Sequence, residues 1–261
     1  MYLCALLASA AFGLALPMNI VALATLVFLG IGGIASIFHL QSPSRFFNAF
    51  SNLKSHLTQE AIITPLLGIA LVACGLNGLL FDAGGASVAI EWVTGVLALA
   101  FLVCTGLAYQ MRSRPAWNTP FIVVLFLLTA AEAGSIATVV VCLSGGPVVP
   151  AALSAAAVVC FLACVATQIS YTSRMRTVGY GVNVDAREQP YRTAYITWIV
   201  TGVAVAGLGL AAAIMFSSLA CAVVALVGSA AGIASWTVLF FKGALKVKMF
   251  PMYPVDLNLD M

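Results

Sequence analysis

Charged side chains are scarce in this sequence. Only 7% of its 261 residues are Asp, Glu, Lys or Arg, whereas 63% are hydrophobic and the mean hydropathy is +1.12. A soluble domain carries about 25% charged residues, so this protein has too few to cover a water-soluble globule. The composition predicts a polytopic helical membrane protein whose solvent is the lipid bilayer, and we expect no nucleic-acid partner.

Histidine is also scarce, since His39 and His56 are the only two. A membrane b-type haem generally requires two axial histidines from within helices. His39 is expected at the end of a helix and His56 in a loop. We therefore expect no haem in this protein.

The seven cysteines lack the spacing of a metal-binding motif. All of them lie in or beside apolar runs, and none forms a Cys-x-x-Cys pair. Buried cysteine usually behaves as a small hydrophobic residue, and the patterns of iron–sulfur and zinc sites are missing. We expect no metal and no iron–sulfur cluster here, so any cluster that the system uses belongs to another subunit.

Long apolar runs predict an all-α fold, a bundle of about eight transmembrane helices. A helix needs roughly 20 residues to cross the hydrocarbon core. The first run, 1–16, is short, and no basic residue precedes it as one would in a signal peptide. It is either the remainder of a first helix whose beginning is missing or a short tilted span. The other helices are predicted at 20–40, 61–81, 88–111, 121–143, 149–171, 192–216 and 219–245.

We expect residues 1–261 to form a single integral membrane domain. Within its second helix, the sequence Gly-Ile-Gly-Gly at Gly30–Gly33 predicts close approach of a neighbouring backbone.

Lys and Arg are distributed unevenly over the connections. All eleven lie in the connections after the second, fourth and sixth predicted helices or at the C-terminal end. Because Lys and Arg favour the cytoplasmic side, we expect this face and both termini to be cytoplasmic, in the plasma membrane of a prokaryote. The alternative is that some of these charges dock an acidic partner protein.

The stretch from His39 to Glu60 is the one long polar passage in the first half of the sequence, and it contains both histidines. Titrating groups at a helix–water boundary are what redox or proton-transfer chemistry requires, because a histidine titrates near neutral pH. A second candidate is Glu132, in the middle of the fifth predicted helix. A carboxylate at that depth is costly and usually functional, and we expect it to be protonated or paired with a polar group on a neighbouring helix.

The same stretch resembles the membrane anchor subunit of the dimethyl sulfoxide reductase family. The residues that carry the resemblance are His39-Leu40-Gln41-Ser42-Pro43-Ser44-Arg45, Asn48 and Ser55-His56-Leu57-Thr58-Gln59-Glu60, with Pro115-Ala116-Trp117-Asn118-Thr119-Pro120 as a second match.

The resemblance implies an anchor for an iron–sulfur subunit and a molybdopterin catalytic subunit. It would take menaquinol from the quinone pool, oxidise it and pass the electrons to the iron–sulfur partner in anaerobic respiration. His39 and Glu60 would be the catalytic residues, and Ser42 and Arg45 would help to bind the quinol.

Other interpretations remain open at this stage. His39 fits an interfacial anchor, Arg45 fits a contact with phospholipid or the partner, and Glu60 fits a carboxylate stabilised by a helix N-terminus. The whole sequence fits a structural anchor without a quinone site, a quinone-reactive subunit of the polysulfide-reductase type, or a small secondary transporter. The terminal electron acceptor is not encoded here, because the catalytic subunit selects it.

Overall fold

The fold is described from a computed structural model. It describes residues 1–39, 52–77, 79–81, 84–110, 114, 117–146, 148–177 and 189–243. Within them the protein forms an all-helical bundle. Its α-helices are α1 (Tyr2–Phe12), α2 (Met18–His39), α3 (His56–Leu76), α4 (Ser87–Ala108), α5 (Phe121–Gly145), α6 (Ala151–Thr177), α7 (Gln189–Thr197), α8 (Ala206–Phe216) and α9 (Leu219–Gly243).

The helix count agrees with the sequence. A π-helical stretch, Trp198–Val205, joins α7 to α8 without a break, so the described residues contain eight helical rods. Seven of these are long and apolar enough to cross a membrane, while α1 has only 11 residues. The prediction of a multi-pass membrane bundle is confirmed. Helices dominate because every backbone polar group in lipid must find its partner within the segment.

The boundaries of α3 differ from the prediction. It begins at His56, five residues before the predicted start, and ends at Leu76. Hydropathy locates the apolar core of a membrane span and not its water-facing turns. The polar residues at the start of α3 were therefore predicted as a loop. Glu60 and His56 are thus helical residues, not parts of a loop.

Large apolar side chains point outward, as in a protein dissolved in lipid. Ile20, Phe28 and Leu208 are 61%, 67% and 72% exposed. The interior uses many small residues instead. Those fully buried in the cluster formed by α5, α6, α8 and α9 are Ala157, Ala206, Ala213, Ala222 and Ala225. Small residues let helices approach closely where lipid supplies no hydrophobic drive for association.

Glycines in the second half of the sequence allow the helix backbones to touch. A Cβ added to Gly202 would lie 2.9 Å from the Cα of Gly232, and one added to Gly209 would lie 2.9 Å from the backbone nitrogen of Ala225. The π-helical stretch and α8 therefore rest directly on α9. The close approach expected at Gly30–Gly33 does not occur within the described residues, since none of their atoms lies within 4 Å of a Cβ added to any glycine of that stretch.

Antiparallel packing brings the candidate residues to one end of the bundle. α3 packs against both α2 and α4, and α5 packs against α4, α6 and α9. The end of α4 thus lies beside the start of α3, and the starts of α5 and α7 meet the ends of α6 and α9. Aromatic side chains fill this end, so we call it the aromatic end.

Candidate functional site

Glu60 lies in the second turn of α3, where that helix emerges at the aromatic end. Its Oε1 accepts a hydrogen bond of 2.8 Å from Oγ1 of Thr105 on α4. The side chain is half-buried, and Oε2 has no hydrogen-bond partner among the described residues. The carboxylate is thus held by one oxygen and able to accept a hydrogen bond or a proton at the other.

The first turn of α3 explains how Glu60 is positioned. The backbone nitrogen of Gln59 donates to the carbonyl of Ser55, which begins the helix, and Thr58 is fully buried. Ser55 is the N-cap residue, although its side chain makes no cap hydrogen bond. His56 is exposed, with Nδ1 placed 3.1 Å from Oε1 of Gln59. The second histidine therefore stabilises the surface of the helix start.

Tyr109 follows Thr105 by one helical turn, at the C-terminal end of α4. Its ring stacks on Phe126 with centroids 5.2 Å apart, and its other contacts with Trp117, Phe240 and Phe241 are edge-on, at 5.6 to 5.8 Å. Burial raises the pKa of the Tyr109 phenol above its ordinary value, and the nearby Glu60 carboxylate raises it further. The phenol is thus neutral at physiological pH.

Trp117, in the connection between α4 and α5, packs within the aromatic end. Trp117 is buried, stacks on Phe240 at 4.9 Å, and has the guanidinium of Arg114 4.3 Å from its ring centroid. Gln110 closes the same turn by donating from Nε2 to the Thr119 carbonyl at 3.0 Å. Trp117 thus fastens the described part of the α4–α5 connection to the end of α9.

The structure describes the other predicted quinol-site residues only in part. Ser42 and Arg45 lie outside the described residues, and for His39 the structure describes only the backbone, as the last residue of α2. Since α2 packs antiparallel to α3, the end of α2 lies at the same end of the bundle as the start of α3. The contact between His39 and Glu60 stays a prediction.

Glu132 is a separate, deeply buried carboxylate. It is 4% exposed, and its Oε1 accepts a 2.7 Å hydrogen bond from Oγ of Ser229 on α9. The thiol of Cys164 on α6 lies 3.6 Å from Oε2. The expectation that Glu132 pairs with a polar group on a neighbouring helix is confirmed. Among the described residues no cation contacts it, so it joins α5, α6 and α9 through hydrogen bonds alone.

Sequence reasoning missed Thr105, Tyr109 and Ser229. Threonine and serine in apolar helices usually bond to their own backbone, and Oγ1 of Thr105 also lies 2.9 Å from the Phe101 carbonyl, which competes with Glu60 for its single hydrogen. Composition therefore gave no sign that these hydroxyls reach a carboxylate on another helix.

The family model for the DMSO reductase anchor subunit (DmsC) matches residues 14–242. This protein belongs to that family. It is also similar to a Haemophilus influenzae protein named as the C subunit of an anaerobic dimethyl sulfoxide reductase, with 31% identity over 113 residues, which is 42% of this sequence. The match spans 40% of the length of that relative. No solved structure matches this protein.

This member of the anchor-subunit family has a second polar region at the opposite end of the bundle. A cavity of about 310 Å³ lies between the α1–α2 connection and the junction of α3 with α4, and Asn19 and Glu91 contribute to its lining. Behind it, the buried hydroxyl of Tyr2 lies 3.3 Å from the thiol of Cys74, which lies 3.2 Å from the Thr94 hydroxyl. These contacts tie α1, α3 and α4 together.

The cysteines of this anchor-family member are all free thiols. In the part of the sequence that the structure describes, no group of three His, Cys, Asp or Glu residues is arranged to hold a metal ion.

Proposed function

We propose that this protein is the membrane anchor of a DMSO-reductase-type complex, in which it oxidises menaquinol and passes the electrons to an iron–sulfur subunit. A molybdopterin subunit would then reduce the terminal acceptor. Family membership over residues 14–242 supports the role of anchor. The observation that carries the quinol role is the half-buried Glu60 carboxylate, held by Thr105 at one oxygen and, among the described residues, unpaired at the other.

The chemistry requires acceptors for two protons and two electrons. Quinol enters from the lipid, and its two O–H bonds break as the ring becomes a quinone. The imidazole of His39 would take one proton, and Glu60 would take the other and relay it to water, as general bases do. The two electrons would pass to an iron–sulfur cluster of the partner subunit. Ser42 and Arg45 would bind the quinol ring from the connection that follows α2.

The orientation of the complex is part of this proposal. Lys54, Arg114, Arg192 and Lys242 lie at helix ends or connections that belong to the aromatic end. Because Lys and Arg are retained on the cytoplasmic side during insertion, we place the aromatic end, the C-terminal end of the protein and the docked iron–sulfur subunit in the cytoplasm of a prokaryotic cell. Met1 does not lie at the aromatic end as expected, since its backbone nitrogen lies 3.2 Å from a Cβ added to Gly134, in the middle of α5.

The test is quinol-driven reduction by the assembled complex carrying His39→Ala. Loss of a proton acceptor costs about 10²–10⁴-fold in rate, so quinol-driven activity should vanish while an artificial donor to the catalytic subunit still supports turnover. Glu60→Gln should be milder, because water can replace the relay at an open helix end. His56→Ala is the matched control, since this exposed histidine pairs with Gln59 at the surface of α3.

The result that would overturn the quinol role is near wild-type quinol oxidation by the His39→Ala complex. The protein would then be a structural anchor alone. A complex that loses activity with both donors has failed to assemble, and the milder His39→Gln variant then repeats the comparison. Copurified quinone in the wild-type complex provides an independent measurement.

A further inference from the structure

Tyr109 lies at the C-terminal end of α4, four residues after Thr105, which bonds to Glu60. Residues four apart on a helix share a face, and one turn advances about 5.4 Å along the axis. Tyr109 therefore lies one turn beyond Thr105 toward the aromatic end, where its ring contacts the α4–α5 connection, α5 and α9. No feature of the sequence motif pointed to it.

The orientation of the Tyr109 ring is restricted on several sides. Phe126 stacks on one face at an interplanar angle of 21°, while Trp117 meets the ring edge-on at 83°. Phe240 and Phe241 add two further edge contacts. A ring held in this way presents its hydroxyl in a fixed direction, so little conformational entropy is lost when a ligand binds there.

The hydroxyl itself makes no hydrogen bond with any described residue, although the side chain is half-buried. Buried or partly buried tyrosine hydroxyls usually find a partner. Oε2 of Glu60 is likewise unpaired within the described part of the protein. The Tyr109 hydroxyl and the Glu60 Oε2 are thus two unpaired polar groups at the same end of the bundle, beside a cluster of aromatic rings, and this combination suits a flat aromatic ligand that carries hydroxyl groups.

We propose that Tyr109 is a third quinol-binding residue, whose hydroxyl forms a hydrogen bond with an oxygen of the naphthoquinol ring. This inference rests on the proposed quinol site at His39 and Glu60. Tyr109 takes no part in proton or electron transfer, since its role is to hold the ring in place while Glu60 and His39 accept the protons. The naphthoquinol ring would pack against the neighbouring aromatic cluster.

The experiment compares Tyr109→Phe with wild type in the assembled complex, using a water-soluble naphthoquinol as donor. Phenylalanine keeps the ring contacts and removes only the hydroxyl. A neutral hydrogen bond that is equally strong in the ground and transition states changes KM and not kcat, so KM should rise about 3- to 10-fold with kcat within about 2-fold. Tyr195→Phe is the matched control, a tyrosine on α7 whose ring contacts Trp198, and its KM should be unchanged.

The outcomes separate this inference from the proposed function. Loss of quinol oxidation in His39→Ala with an unchanged KM in Tyr109→Phe would overturn the role of Tyr109 and leave the quinol site standing. Wild-type rates of quinol oxidation in both variants would overturn the proposed quinol site, and this inference with it. A drop in artificial-donor activity in Tyr109→Phe would show that the hydroxyl is structural, which also overturns the proposal.

Discussion

The Thr105 hydroxyl donates a 2.8 Å hydrogen bond to the Glu60 carboxylate and so joins the end of α4 to the start of α3. The two residues are 45 positions apart in the sequence. Among the described residues, the other carboxylate oxygen stays unpaired at the aromatic end of the bundle. This relationship places a candidate proton acceptor at the helix boundary where lipid, water and a partner subunit would meet.

Removal of the Thr105 hydroxyl should impair quinol oxidation. In Thr105→Val the Glu60 carboxylate loses its only described hydrogen-bond donor, and hydrogen bonds to charged groups contribute about 1.5–3 kcal/mol. We expect quinol-driven activity to fall by up to about 10-fold, and by no more than in Glu60→Gln, measured against activity with an artificial donor. Thr105→Ser keeps the hydroxyl and should stay close to wild type. Equal activities of the valine and serine variants would contradict the positioning role.

Glu132 should contribute to stability through its two donors. Glu132→Ala leaves the hydroxyl of Ser229 without its acceptor, while the thiol of Cys164 keeps Oγ1 of Thr129 at 3.8 Å, and an unsatisfied buried group costs about 1–3 kcal/mol. We expect a destabilisation of about 1–3 kcal/mol, measured by thermal unfolding in detergent. Glu132→Gln retains an acceptor oxygen for Ser229 and should lose much less.

A double-mutant cycle checks this interpretation of Glu132. Ser229→Ala in the Glu132→Ala background should cost little more than Glu132→Ala alone, because the pair shares one hydrogen bond. Additive costs would show that Ser229 and Glu132 act independently.

The glycine contact between the π-helical stretch and α9 should tolerate no side chain. A Cβ at Gly232 would overlap the backbone of Gly202, so Gly232→Ala should separate the helices and destabilise the bundle by about 1–3 kcal/mol. Gly30→Ala is the control, since its Cβ would meet no described atom within 4 Å and alanine is the better helix former. Equal unfolding temperatures for the two variants would contradict the contact.

The orientation can be measured with reporter fusions. A reporter active only in the cytoplasm should be active when fused after Lys242 or Met261, because Lys and Arg at the aromatic end favour retention on that side. A fusion in the connection between α5 and α6, after Gly146, should be active only with a periplasmic reporter. The reverse pattern would place the docked partner complex outside the cytoplasm.

The sequence by itself determined the class of fold and the location of the candidate site. Its low charge and long apolar runs require lipid as the solvent, and backbone hydrogen bonding in lipid requires helices. The stretch from His39 to Glu60 and the buried Glu132 stand out because polar residues are so rare in this protein. Helix starts were less predictable, since the polar first turn of α3 resembles a loop in composition.

The tertiary structure decided which helices meet and therefore which residues complete each site. Hydropathy reports the surroundings that a side chain prefers, but it holds no information on the neighbour across a helix interface. Thr105 reaches Glu60, and Ser229 reaches Glu132 over a separation of 97 residues, only because α4 packs on α3 and α9 packs on α5. For the same reason the close backbone contact falls at Gly232, while no described atom approaches Gly30.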